Sequence, residues 1–182
     1  MIFCPSCGHR YEAADFSPDD TLFTCSDYDY DYDYLFYQNS VPYVSAVVPA
    51  RGREQEVLLI RRGMPPDIGK LALPGGFLRS GELPADAIVR EIGEETLVEI
   101  RIARRLCETL LDYQFRGERI SVLELAFVSQ AVDPRAFDAL TEEASSVAFY
   151  DVRKPQLLNG EWLAFPEQAN VLGHYLSSLG DL

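Results

Sequence analysis

Glu91, Glu94 and Glu95 stand at i, i+3 and i+4 directly after Arg90, and no other feature of this chain narrows its fold and chemistry as much. On a helix these carboxylates share one face, a turn apart. Like charges held so close repel, and a bare helix gains nothing from the spacing. A divalent ion such as Mg²⁺ or Mn²⁺ removes the repulsion, because hard cations take carboxylate oxygens as ligands. The plainer reading is a solvated acidic face. Residues around the cluster predict the helix itself. Pro84 suits the first helical position, where its missing N–H would be unpaired anyway. Leu83 is then the N-cap, a place where Ser or Asp is favoured, and Asp86 offsets this in part through the helix dipole. Ile88 and Ile92 are expected to face a sheet while the three glutamates face a cleft.

The stretch from Gly76 to Val98 reads GFLRSGELPADAIVREIGEETLV. It resembles the Nudix box, in which G, five residues, E, seven residues, R-E, an aliphatic, any residue, E-E, any residue, G and an aliphatic follow in order. Gly76, Glu82, Arg90, Glu91, Ile92, Glu94, Glu95 and Val98 fill eight of the nine specified positions, and Leu97 stands where the family has glycine. Fixed spacing of this kind is far more specific than a lone glycine-rich loop. The preceding LALPGGF is similar to the family's strand leading into the loop, and the resemblance extends over about residues 41–176.

That resemblance implies an α/β/α sandwich around a mixed sheet, preceded here by a small ribbon-like β module. It implies metal ligands at Glu95 and Glu91, then Glu94, with a main-chain carbonyl at Gly75 or Gly76, the ion being Mg²⁺ or Mn²⁺. A Glu82–Arg90 pair would tie the loop back onto the helix. Glu94 and Glu143 stand as equal candidates for the general base. The competing reading of Glu143 is an ordinary loop carboxylate; that of Arg90 is an exposed partner of Glu94, worth roughly 0.2–0.5 kcal/mol. Leucine at position 97 costs roughly 1–2 kcal/mol in the left-handed turn a glycine would make. The helix is therefore expected to run further or to end by another geometry.

Residues 1–37 read as a separate module and 38–182 as the main domain. Cys4 and Cys7, in CPSCG, form a sharp turn that suits one metal ion, and Cys25 follows. Structural zinc takes four donors, and Tyr28 stands where the fourth would. The segment is similar to the N-terminal zinc ribbon of some Nudix hydrolases with its second knuckle eroded. Completion of a zinc site by His9 or Asp27 and a metal-free remnant both stay open. Four Asp-Tyr pairs run from Asp27 to Tyr34, placing tyrosines on one face of an extended strand and aspartates on the other. An acidic linker is the alternative; a hairpin arm is favoured because LFYQ continues the aromatic pattern. Pairing of two copies through this arm is left open. Cysteines so distributed, with Cys107 alone, fit a reducing compartment better than a disulfide framework. With no signal-type apolar region and no long apolar run, a cytoplasmic location without membrane contact is expected. The net charge of −13 argues against nucleic-acid binding through a basic surface.

From Val41 the pattern is that of an α/β domain. Val44–Ala50 and Val57–Arg61 are expected as a hairpin across ARGREQE, Gly63–Gly69 as a loop and Leu71–Leu73 as a short strand. After the box helix, Val98–Cys107, Tyr113–Phe115 and Ile120–Ser129 are expected strands, Asp133–Leu140 a short helix and Val147–Asp151 a last strand. Phe165–Leu179 carries apolar residues at helical spacing.

The reaction implied is hydrolysis of a nucleoside diphosphate linked to another moiety, with a small nucleotide as partner. Box residues do not select the substrate; the walls around them do. The SQPWPFPxS segment of the NADH pyrophosphatase branch is absent. The C-terminal LAFPEQANVLGHYL is more similar to a ribbon-bearing group associated with ADP-ribose and flavin dinucleotide hydrolysis, with Gln168 where a histidine is often found. Arg61, Arg62, Lys70 and Arg79 lie near the cleft by sequence and suit phosphates, though each also reads as a surface charge. Tyr113, Phe115 and Trp162 suit base stacking, though aromatic residues at strand spacing are more often core. The alternative reading is a nucleotide-sensing or protein-binding module without turnover, motivated by Leu97, Leu83 and Tyr28.

Overall fold

The computed structural model describes residues 8, 10, 22–25, 34–37, 39–115, 118–132 and 141–180. The readings of Cys4, Cys7, His9, Tyr28, residues 27–33 and the helix at 133–140 lie outside them, as do the side chains of Cys25 and Phe115. The chain divides into two units, Met1–Ser40 and Val41–Leu182. In the first, β1 (Leu22–Cys25) pairs antiparallel with β2 (Tyr34–Tyr37), Leu22 opposite Tyr37 and Cys25 opposite Tyr34.

In the second unit the order is β3 (Val41–Val47), β4 (Pro49–Ala50), β5 (Arg53–Arg62), β6 (Leu71–Ala72), β7 (Gly75–Phe77) and α1 (Pro84–Thr96). There follow β8 (Ile100–Phe115), β9 (Glu118–Ala131), β10 (Ala144–Asp151), α2 (Pro155–Leu158) and α3 (Gln168–Leu179). One sheet runs β7-β3-β9-β8 and is mixed: β3 lies parallel to β9, while its other edge takes β7 antiparallel. The second sheet runs β10-β5-β4, with β6 also against β5, and is antiparallel throughout.

Alternation along β9 places the two long helices. Successive strand residues point to opposite faces. Phe127 joins Val44, Ala46, Ile88 and Ile92 in one apolar cluster. Its neighbours Ala126 and Val128 join Val47, Leu59, Val171, Leu172 and Tyr175 in another. Hence α1 covers one face of the mixed sheet and α3 the other, the α/β/α layering expected. Burying Ile88 and Ile92 fully contributes roughly 1.5–3 kcal/mol each. That outweighs the missing N-cap bond at Leu83, which costs roughly 1 kcal/mol. No helix among the described residues is long and apolar enough to cross a membrane.

The structure corrects several boundaries. The strands expected at Val98–Cys107 and Tyr113–Phe115 are one strand, the 16-residue β8, which begins at Ile100 and pairs with β9 along its length. Register shifts at Ile102/Arg104 and Arg105/Cys107 bend it, and each bulge resets the period-two alternation from which strands are read. The helix expected from Phe165 begins at Gln168. Pro166 disfavours helical backbone at the residue before it, so Phe165 stays in a loop, buried. The hairpin after β4 turns at Arg51-Gly52, and β5 starts at Arg53, inside the polar segment read as turn.

Leu97 takes neither expected course. It ends α1 in the left-handed conformation itself, at φ 56° and ψ 21°, its N–H donating to Gly93 O at 3.0 Å. Turning there buries Val98 and Ile100, while the Thr96 hydroxyl donates to Ile92 O at 2.6 Å and locks the last turn. The leucine side chain is 68% exposed and so repays little of the strain. Leu97→Gly should therefore raise unfolding stability by about 1 kcal/mol, read by denaturant titration. A loss of stability would show that the leucine side chain outweighs its backbone cost.

Candidate active site

β7 contains two glycines because β3 presses on the backbone at one and helix α1 at the other. A Cβ on Gly75 would overlap Val44 O across the strand pair, and one on Gly76 would fall within the Glu91 carboxylate. Gly75 also has φ +155°, a conformation L side chains rarely adopt. Its N–H donates to Glu95 Oε2 at 2.8 Å, and its carbonyl accepts from the Tyr43 hydroxyl at 2.8 Å. The helix's acidic face is thereby fixed against the sheet edge.

Arg90 gathers most of the remaining charge. Its Nε and one terminal nitrogen donate to the two oxygens of Glu82, each at 2.7 Å. The other terminal nitrogen reaches Glu91 at 2.6 Å and Glu94 at 3.0 Å. Phe77 O accepts a further bond at 3.2 Å. Arg79 donates to the second Glu94 oxygen at 2.9 Å, and its backbone N–H donates to Glu82. Glu82, bonded chiefly by Arg90, has its carboxyl lowered to about 2. The same bonds from Glu82 raise the Arg90 guanidinium further above its ordinary value. Glu91 moves the other way: burial raises it, with Arg90 opposing. Burial also raises Glu95 well above the usual carboxylate range, aided by the charges of Glu91 and Glu143 and opposed chiefly by the Gly75 N–H.

Most of these groups line a cavity of about 440 Å³ whose wall has two kinds of side chain. Glu91, Glu94, Glu95 and Glu143 stand in it with Arg79 and Arg90. Much of the rest is aromatic. Tyr43 and Phe77 meet edge-on at 5.3 Å, Phe77 and Tyr113 at 5.4 Å, and Tyr113 stacks on Phe165 at 5.6 Å. The Arg62 guanidinium lies 5.1 Å from the Phe165 ring centre, held there by Pro65 O and Pro66 O.

Of the residues singled out in the sequence, Gly76, Arg79, Arg90, Glu91, Glu94, Glu95, Tyr113 and Glu143 line this one cavity, with Glu82 behind Arg90. Arg61, Lys70 and Trp162 do not; they line a different cavity. Gln168 is buried structure, its amide oxygen accepting from Leu73 N–H at 3.0 Å and its amide nitrogen donating to Glu124 at 2.8 Å. Sequence reasoning missed Tyr43, Phe77 and Phe165 as site residues; they come from separate segments, the first two paired across β3 and β7 and the third from the loop before α3.

The donor set suits a hard divalent cation: carboxylate oxygens, two of the side chains buried, and a glycine leaving space against one of them. Among the described residues, no group of three or more acidic, histidine or cysteine side chains stands in metal-holding geometry. Arg79 and Arg90 meanwhile bond oxygens of Glu91 and Glu94.

The sequence pattern of the NUDIX domain matches residues 41–168. An ADP-ribose pyrophosphatase from Methanocaldococcus jannaschii is 50% identical over 44 residues, covering 24% of this chain and 26% of that protein. The matched stretch thus spans about a quarter of the curated relative's length. A solved NUDIX hydrolase from Nitrosomonas europaea superposes with TM-score 0.66 at 21% identity, covering 100% of this chain and 93% of its own. The NUDIX domain of Shewanella oneidensis NrtR, solved with ADP ribose, gives 0.59 at 20% identity, covering 79% and 90%. At those identities the structural likeness speaks to fold alone. The sequence match takes in most of the chain, from β3 to the start of α3 and including the helix that bears the three glutamates, and the chain belongs to the NUDIX domain family.

Proposed function

We propose that the protein hydrolyses the diphosphate linkage of a nucleoside diphosphate joined to a second moiety, of the ADP-ribose, flavin dinucleotide or nicotinamide dinucleotide type, with Mg²⁺ or Mn²⁺. The observation that carries this reading is a single cavity whose wall combines four glutamates with a set of packed aromatic rings. A diphosphate joined to a flat base combines the same two characters.

Divalent ions, when bound, would neutralise the diphosphate and lower the pKa of the attacking water. Glu91 and Glu95 would hold them, with Glu94 next and the Gly76 carbonyl as a further oxygen. Arg79 and Arg90, once displaced from the glutamates, are placed to meet phosphate oxygens and the charge that develops on the leaving group. Glu94 or Glu143 takes the proton from water; both line the cavity. Arg62 and the Tyr113–Phe165 stack would receive the base, because a guanidinium over a ring extends a flat, cationic surface. Negative charge on this chain repels such substrates at long range, so affinity for them depends on the ions.

Purified protein incubated with ADP-ribose, NADH, flavin dinucleotide and dinucleoside polyphosphates, with Mg²⁺, Mn²⁺ or chelator, tests the reading by product analysis. Nucleoside monophosphate is the expected product from at least one of the first three, only with metal. Nucleotide binding without product from any of them would favour the sensing module instead.

A further inference from the structure

β5 ends in two arginines, Arg61 and Arg62, and neighbouring strand residues point to opposite faces. Arg62 enters the glutamate cavity, while Arg61 enters a second cavity of about 450 Å³ on the other side. Its walls carry Arg61, Lys70 and Lys154, two rings from Tyr150 and Trp162, and a single carboxylate, Glu161. Three cations around one cavity are notable in a chain of net charge −13.

These side chains are held in place. Arg61 donates to Gly69 O and lies 3.4 Å from the Tyr150 hydroxyl. Lys70 pairs with Asp67 at 2.9 Å. The Lys154 ammonium stands 5.6 Å from the centre of the Trp162 ring. Behind them, Leu71 N–H donates to Trp162 O at 3.0 Å and Ala164 N–H to Leu71 O at 2.8 Å, which fixes the tryptophan segment alongside β6. We propose that this second cavity binds a nucleoside monophosphate, with phosphate among Arg61, Lys70 and Lys154 and the base against Trp162 and Tyr150. Guanidinium and ammonium groups suit phosphate oxygens. An indole face beside a cation suits a flat heterocycle.

The two cavities share one loop. Met64 and Pro65 wall the glutamate cavity, and Gly69 and Lys70 wall the second. An occupant of the second cavity therefore bears on a wall of the first, a route by which nucleoside monophosphate modulates the glutamate site. Binding itself does not depend on turnover and can be tested without it.

Trp162 is the chain's only tryptophan, so intrinsic fluorescence reports directly on this cavity. Metal-free protein in chelator is titrated with AMP, adenosine and inorganic phosphate, with calorimetry as a second readout. A saturable change with AMP is expected, tighter than about 1 mM. Adenosine and phosphate should each bind at least about tenfold more weakly, and Lys154→Ala and Lys70→Ala should each weaken AMP about tenfold. Arg105→Ala, on β8 and in the wall of neither cavity, should leave it unchanged. No saturable change at millimolar AMP, phosphate binding as tightly as AMP, or AMP binding undiminished in both lysine variants would each overturn the proposal.

Discussion

Glu95→Gln should reduce turnover by about 10²–10³-fold at saturating metal and substrate, a loss comparable to removing one preorganised electrostatic partner of a transition state. The substitution is nearly isosteric. The glutamine oxygen still accepts the Gly75 N–H that Glu95 Oε2 accepts at 2.8 Å, so the helix stays seated on β7. What disappears is a charge. Glu95 is 4% exposed and its carboxyl is raised well above the usual range, chiefly by burial. A buried charge beside Glu91 and Glu143 opposes folding, and its removal should leave thermal stability equal or higher. Function and fold thus move in opposite directions, which separates a role in chemistry from one in packing. Calorimetric titration with Mn²⁺ should show weakened binding in the same variant. An unchanged rate would take Glu95 out of the reacting centre.

The helix part of the acidic wall was readable in the sequence because its geometry is local. Glu91, Glu94 and Glu95 are placed by helical periodicity alone, and Glu82 reaches Arg90 from only eight residues away. The aromatic wall was not readable. Tyr43 sits on β3, Phe77 on β7, Tyr113 on β8 and Phe165 in the loop before α3. Their meeting depends on a register such as Tyr43 opposite Phe77, which no short window encodes. Some signals were present and unused. Strand alternation separates Arg61 from Arg62, and Pro166 keeps Phe165 out of the helix. Bulges explain the divided reading of β8, since each shifts the alternation by one residue. Leu97 shows the reverse. A rule against left-handed leucine is correct about cost, yet burial of Val98 and Ile100 decides where the chain goes.

The Arg90 and Arg79 bonds give the glutamate cluster a resting partner. Glu94 is shared between both arginines and remains half exposed, while Glu91 and Glu95 are buried. Repulsion along the helix face is therefore relieved in two ways, by guanidinium groups at Glu94 and Glu91 and by the Gly75 N–H at Glu95. On the proposed reading, a divalent cation would replace the arginines at Glu91 and Glu94 and leave guanidinium nitrogens for an anionic substrate, while Arg90 keeps its bonds to Glu82. The same side chains can then serve the empty and the loaded cavity.

Glu124→Gln should stabilise the protein by about 2–3 kcal/mol at pH 8 and leave it nearly unchanged at pH 4. Glu124 is fully buried on β9, its Oε1 accepting from the Gln168 amide. Burial raises its carboxyl from 4.5 to about 7, against the pull of the Ser45 hydroxyl and the Gln168 amide and with help from Glu167. Below about pH 4 the group holds its proton in both folded and unfolded chains and contributes no pH dependence. As pH rises towards 7 the unfolded chain releases that proton while the folded one keeps it, so stability falls; above 7 the loss levels off. One pKa unit corresponds to about 1.36 kcal/mol, which sets the loss near 3 kcal/mol. Glutamine keeps the oxygen that accepts from Gln168 Nε2 at 2.8 Å and never ionises. Glu95 and Glu91 are also raised by burial and slope the same way, so the difference between variant and parent isolates Glu124. Denaturant unfolding at the two pH values provides the measurement. A variant less stable than its parent at pH 8 would mean that the folded protein stabilises the charged carboxylate, contrary to what its burial implies.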